Sequence, residues 1–147
     1  MGARDVSVNG PPRDRVEPGR VDEFRSAGRI LFSLRLVKDA EGNLSVFDGT
    51  TLWVTRTGVS LADLGPADVL EGRLTGDLPH ATTDLEVHRR TYRERGPGAL
   101  AHAHPAGTVH EERGPGEHGV YAFGATLLEA AQSVVRSARG EVEGGRR

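Results

Sequence analysis

The chain contains no cysteine. That excludes disulfides, thiolate metal ligands and a cysteine nucleophile, so any metal site must be built from histidine, carboxylate and water. Lys38 is the one lysine among 19 basic residues, the rest being arginine. Schiff-base chemistry is therefore confined to that position. No apolar run approaches the roughly 18 residues of a membrane span. The N-terminus also lacks the apolar centre of a signal peptide, so a cytoplasmic protein with no membrane partner is expected. A net charge of −2 gives no bulk attraction for nucleic acid, and no nucleic-acid partner is expected. What remains is 147 residues, 36% hydrophobic and 27% charged. This is an ordinary composition for one soluble domain with a real core.

Residues 1–20 hold Gly10-Pro11-Pro12 and Pro18-Gly19 and read as a flexible arm. The domain is expected over 21–140, with a flexible tail over 141–147. Val21, Phe24, Gly28, Leu31 and Phe32 share a stripe that predicts a helix over 21–36. Gly28 weakens that helix locally but would allow close packing. Two β-rich runs flank Asp48-Gly49, which predicts a tight hairpin. The open end of that hairpin would bring Gly42-Asn43 beside Arg56-Thr57-Gly58, loops whose donors suit an anion. They also read simply as turn residues. Ser60 starts a short capped turn, and residues 68–74 are expected as a strand. Thr83 with Glu86 has the spacing of a capping box, so a helix is expected from Asp84 to Arg95. Asp84 would lie in its first turn and His88 on the same face one turn later. Thr82, Thr83 and the helix amides would favour an anion there. Thr126 with Glu129 caps a last helix, closed by Gly140.

The chemistry converges on Ala99-Leu100-Ala101-His102-Ala103-His104-Pro105. Alternation along a strand turns both imidazoles to one face, and Pro105 ends the pairing. His118 follows a Gly/Pro/Glu-rich loop in which His110-Glu111-Glu112 could offer ligands but reads as a solvated run. Three imidazoles and the Asp84 carboxylate could surround a divalent cation such as Zn²⁺. The element order is helix, hairpin, strand, helix, strand, strand, helix, which suggests one mixed sheet with helices packed on it.

Taken in order, these pieces resemble the class II aldolase/adducin family. Residues 27–46 resemble its opening helix and Gly-Asn-Leu-Ser phosphate loop. Residues 52–70 resemble its strand and Thr/Ser-Gly loop, residues 82–105 its acidic helix and His-x-His-Pro strand, and residues 117–138 its third-histidine strand and last helix. The resemblance implies a single-domain α/β fold, a three-layer α/β/α arrangement around a mixed, largely antiparallel sheet. It implies that His102, His104 and His118 hold a divalent metal, Zn²⁺ first, with Mn²⁺ or Fe²⁺ as alternatives. It implies that Asp84 is the catalytic acid/base, where the family has glutamate. It implies that Asn43, Thr57, Gly58, Thr82 and Thr83 bind phosphate, where the family often has serines for the threonines. The implied activity is that of a metal-dependent lyase, an aldolase or epimerase. It would act on a small phosphorylated sugar through an enediolate, in a homo-oligomer. Only 13 residues separate His104 from His118, where the family has several tens. That missing stretch normally brings an active-site tyrosine; Tyr121, on the following strand, does not match it. Two other readings stand beside the first. One is a three-histidine iron oxygenase or decarboxylase on the same scaffold. The other is a non-catalytic, adducin-like binding protein.

Overall fold

A computed structural model of the chain describes residues 16–105 and 119–140. The expected arm up to residue 15, the tail over 141–147, the loop from residue 106 and His118 lie outside the described residues. The elements follow the expected order. They are α1 (Pro18–Ser33), β1 (Asn43–Phe47), β2 (Leu52–Thr55), β3 (Val69–Gly72), α2 (Leu85–Arg95), β4 (Gly98–Ala103), β5 (Val120–Gly124) and α3 (Leu127–Ala138). Two 3-10 turns, Leu61–Asp63 and Pro66–Asp68, connect β2 to β3. Among the described residues, no helix is long and apolar enough to cross a membrane.

Helix α1 begins and ends three residues earlier than its apolar stripe suggests. Pro18 opens it, where a missing amide costs nothing and the fixed φ is already helical. Val16, inside the expected arm, is buried. At the other end Arg35 turns left-handed at φ 61°. Arg35 N–H donates to Phe32 O and Leu36 N–H to Leu31 O. That pair of bonds is a Schellman closure, which satisfies the last carbonyls and buries Leu36 beside the helix instead of within it. Gly28 performs the close approach that its position allows. A Cβ there would lie 2.3 Å from Leu61 O, so the first 3-10 turn packs on the helix backbone.

The hairpin turns one residue later than expected. Asp48 N–H donates to Thr51 O, and the Asp48 carboxylate accepts the amides of Thr50 and Thr51. Gly49 and Thr50 are therefore the central pair, and an Asx-type bond replaces part of the backbone ladder. The sheet runs in the order β3-β2-β1-β4-β5. Every described pairing is antiparallel, so the expectation of a mixed sheet is corrected. The cause is connectivity: β1–β2 is a hairpin, and the other neighbours reach one another with reversed direction.

Alternation sorts the strands into two unlike faces. On one, Leu44, Ala99, Ala101, Ala103 and Ala122 join Phe24, Ala27 and Leu31 of α1 and Leu127, Ala130, Ala131 and Val134 of α3. The small alanines let both helices sit close to the central strands. On the other, Phe47, Leu52 and Leu100 pack with Tyr92 of α2. That second face also carries the polar residues of the site.

Candidate active site

One rung across three strands organises the site. Asn43 of β1 pairs with His102 of β4, and His102 pairs with Tyr121 of β5. Residues directly opposite on an antiparallel ladder share a face. Tyr121 accordingly stacks on His102, with ring centroids 3.9 Å apart and planes 6° from parallel. It also hydrogen-bonds Asp84, one of the contacts that lower that carboxyl's pKa.

Asp84 sits at the N-cap of α2, but its side chain does not cap the helix. The expected Thr83–Glu86 capping box does not form either. Thr82 Oγ1 accepts the Asp84 N–H at 3.2 Å, and Glu86 pairs with Arg93. The Asp84 carboxylate turns instead to Asn43 Nδ2 at 2.9 Å and His102 Nδ1 at 2.9 Å. Charge-assisted bonds of this kind outweigh a cap to a neutral amide. Burial pushes the Asp84 carboxyl up, yet the bonds from His102 and Asn43, the His102 charge and the Tyr121 bond more than offset it and hold it at about 2. An ionised carboxylate only accepts, so His102 carries its proton on Nδ1. In the neutral imidazole, Nε2 then presents the lone pair.

A carboxylate on one ring nitrogen is the arrangement that orients metal-binding histidines. His102 Nε2 and His104 Nδ1 both face Gly119. A Cβ on that residue would lie 3.1 Å from the first and 3.0 Å from the second, and 2.5 Å from Ala103 O. Gly119 also has φ 80°, so two independent constraints exclude a side chain. Both ring nitrogens thus lie close to one position beside Gly119. Among the described residues, no group of three or more His, Asp or Glu is arranged to hold a metal ion. The described donors nonetheless fit a divalent cation in type: two imidazoles, one with its tautomer set by a carboxylate.

Every expected site residue that the structure describes lines one cavity of about 210 Å³: Asn43, Thr57, Gly58, Thr82, Thr83, Asp84, His102 and His104. Arg56 and Glu41 join them. The two threonine loops are welded together. Thr57 N–H donates to His80 O, Thr82 N–H donates to Thr55 O, and Arg56 bridges to Ala81. Asn43 is only 6% exposed, and its carboxamide is engaged by Asp84 and by His88. Two larger hollows, of about 760 and 290 Å³, lie at the end of α1 and between α1 and α3. Neither is lined by a histidine, so volume alone would misplace the site.

Sequence reasoning missed Tyr121 as a site residue, carried Arg56 and Ser45 only as members of their loops, and gave His88 only a helix face. Tyr121 is set opposite His102 by the β4–β5 register, which becomes visible only in the folded sheet. Ser45 and His88 had no local signal, because each becomes polar machinery only through the other.

The chain belongs to the class II aldolase and adducin N-terminal domain family, whose model matches residues 22–110. An L-fuculose phosphate aldolase of Methanococcus maripaludis is 31% identical over 85 residues, 56% of this chain and 47% of the relative. The chain thus spans about half the length of that curated relative. The crystal structure of L-fuculose-1-phosphate aldolase from Thermus thermophilus is 41% identical, covering 58% of this chain and 45% of that one, with a TM-score of 0.54. An L-fuculose 1-phosphate aldolase from Glaciozyma antarctica shares the fold at 15% identity, with 88% and 75% covered and a TM-score of 0.63.

Proposed function

We propose that this chain is a divalent-metal-dependent lyase of the aldolase type, or an epimerase using the same chemistry, for a small phosphorylated sugar. One observation carries the reading. His102, held at Nδ1 by Asp84, and His104 turn ring nitrogens to a common point beside Gly119, next to a cavity walled by threonines. His102, His104 and His118 would hold the cation, Zn²⁺ first and Mn²⁺ or Fe²⁺ otherwise. When bound, such a cation supplies the Lewis acidity that an enediolate requires.

The chain's own residues do the rest. The hydroxyls of Thr57, Thr82 and Thr83 and the Gly58 backbone hold the phosphate, and Arg56 adds a positive charge that neutral donors lack. Asn43 keeps one edge of this pocket while its carboxamide steadies Asp84. Asp84 is ionised at physiological pH, as a base must be. Withdrawal of the His102 or Asn43 donor raises its affinity for the substrate proton. Helices on opposite faces of the sheet support a three-layer reading of the fold, and the family's habit supports a homo-oligomer.

Elemental analysis of the purified protein tests this reading. About one metal per chain, lost in His118→Ala, is the expected result, with His102→Ala and His104→Ala behaving alike. Zinc directs assays to phosphorylated ketoses and aldehydes, whereas iron with oxygen-dependent turnover reassigns the chemistry to oxygenation. No metal even after reconstitution moves the protein to the non-catalytic, adducin-like reading. Asp84→Asn is expected to keep the metal and lose proton transfer.

A further inference from the structure

A line of buried polar groups runs from the cavity into the face under α2. Asn43 Nδ2 meets Asp84 Oδ2 at 2.9 Å, Asn43 Oδ1 meets His88 Nε2 at 2.5 Å, His88 Nδ1 meets Ser45 Oγ at 2.5 Å, and Ser45 Oγ meets Tyr92 OH at 2.7 Å. His88 and Ser45 are wholly buried, and Tyr92 is 2% exposed. None of these three side chains touches the cavity. The residues come from β1 and α2, far apart in sequence.

Chemistry dictates the direction of every bond in the line. An ionised Asp84 only accepts, so the Asn43 atom facing it is the NH₂. The Asn43 oxygen therefore faces His88, and His88 Nε2 must carry a hydrogen. A neutral imidazole has one N–H, so His88 Nδ1 is an acceptor. Ser45 then donates to it, and the Ser45 oxygen is left to accept from Tyr92. Burial keeps the ring neutral, pushing the His88 pKa down to about 3 with help from the His102 charge and against the pull of Asp84. Burial likewise raises the Tyr92 pKa, which keeps its hydroxyl a donor. Along the line, with a neutral His88 ring, every donor meets an acceptor.

We propose that His88 is a positioning residue: through a fixed Nε2–H tautomer it locks the Asn43 carboxamide so that the NH₂ faces Asp84. The lock matters because the two ends of a carboxamide have nearly the same shape. A flipped Asn43 would put its oxygen against the Asp84 carboxylate, repel it from His102 Nδ1, and release the imidazole that faces Gly119. Ser45 and Tyr92 extend the lock by holding the other nitrogen of the His88 ring.

This inference rests on the proposed function for its consequence, but its test does not depend on turnover. Long-range proton–nitrogen NMR of the full chain with labelled histidine is expected to show His88 protonated at Nε2 and bare at Nδ1. A proton on Nδ1 instead overturns the proposal. A second measurement compares His88→Gln, which keeps a donor near the Nε2 position, with His88→Leu, which has none. The Asn43 side-chain amide resonances should stay near their wild-type positions in His88→Gln and move in His88→Leu. With a phosphorylated ketose that the wild-type protein turns over, kcat should fall about tenfold or more in His88→Leu, KM should change little, and His88→Gln should recover most of the loss. Equal impairment of two equally folded variants would make His88 a packing residue and sink the proposal. Absence of turnover in the wild-type protein, with the tautomer as expected, would sink the functional reading alone.

Discussion

The two faces of the sheet are made by the same strands and obey different rules. Leu44 and Ser45 are neighbours in β1. Leu44 points into the cluster under α1 and α3, and Ser45 hydrogen-bonds His88 and Tyr92 under α2. The first face is held by contacts that are each small and individually replaceable, so damage there is graded. The second face depends on a directed line of hydrogen bonds, in which removing one member strands the next. The catalytic candidates sit only on the second face.

Substitutions in β1 separate these rules most sharply. Leu44→Ala should cost about 2–5 kcal/mol by chemical denaturation, yet leave bound metal per chain unchanged. Metal lost together with stability would merge the two faces into one unit. Ser45→Ala removes far less volume but leaves His88 Nδ1 without its donor. A cost of about 1–3 kcal/mol is expected, with the histidine tautomer signal altered as well. An undisturbed tautomer in that variant would break the contrast. Gly28→Ala belongs to the apolar side and should cost about 1–3 kcal/mol, because a Cβ 2.3 Å from Leu61 O forces the turn away from α1.

Acid should distinguish the faces without any substitution. The His88 pKa falls from 6.5 in the unfolded chain to about 3 in the fold. The unfolded chain thus takes up a proton that the folded one refuses as pH drops from 6.5 towards 3. Stability is present above 6.5 and declines below it, by up to about 1.4 kcal/mol per pH unit from this one group. Asp84, whose pKa is also depressed, to about 2, adds a second loss between about 4 and 2. Denaturation midpoints measured from pH 7 to 4 should fall in wild type and fall less in His88→Gln. The smallest effect is expected at the surface. Leu128 is 49% exposed on α3, and Leu128→Gln should change stability by no more than about 0.5 kcal/mol.

Much of the site was legible through the family resemblance, which rests on motifs that are each local. The His102-x-His104-Pro105 pattern, the Gly42-Asn43 and Thr57-Gly58 turns and the threonines before α2 all report backbone conformation within a few residues. The structure gathers all of them around one cavity. The hairpin centre and the start of α2 were misjudged by a residue because a carboxylate had two suitors. Asp48 chose the Thr50 and Thr51 amides, and Asp84 chose Asn43 and His102 over the helix end. Local propensity weighs only the near partner.

Element order, the apolar stripes of α1 and α3, the family and the two described imidazoles follow from the sequence itself, since each depends on periodicity or on residues adjacent in the chain. Tertiary structure alone decided that Tyr121 stacks on His102, that Asn43 is turned by His88, and that Gly119 brings two ring nitrogens to one point. Those contacts join residues from 15 to 45 positions apart. The stacking follows from antiparallel register, which is a property of the folded sheet rather than of any one strand, and the Asn43–His88 contact follows from the packing of α2 on that sheet.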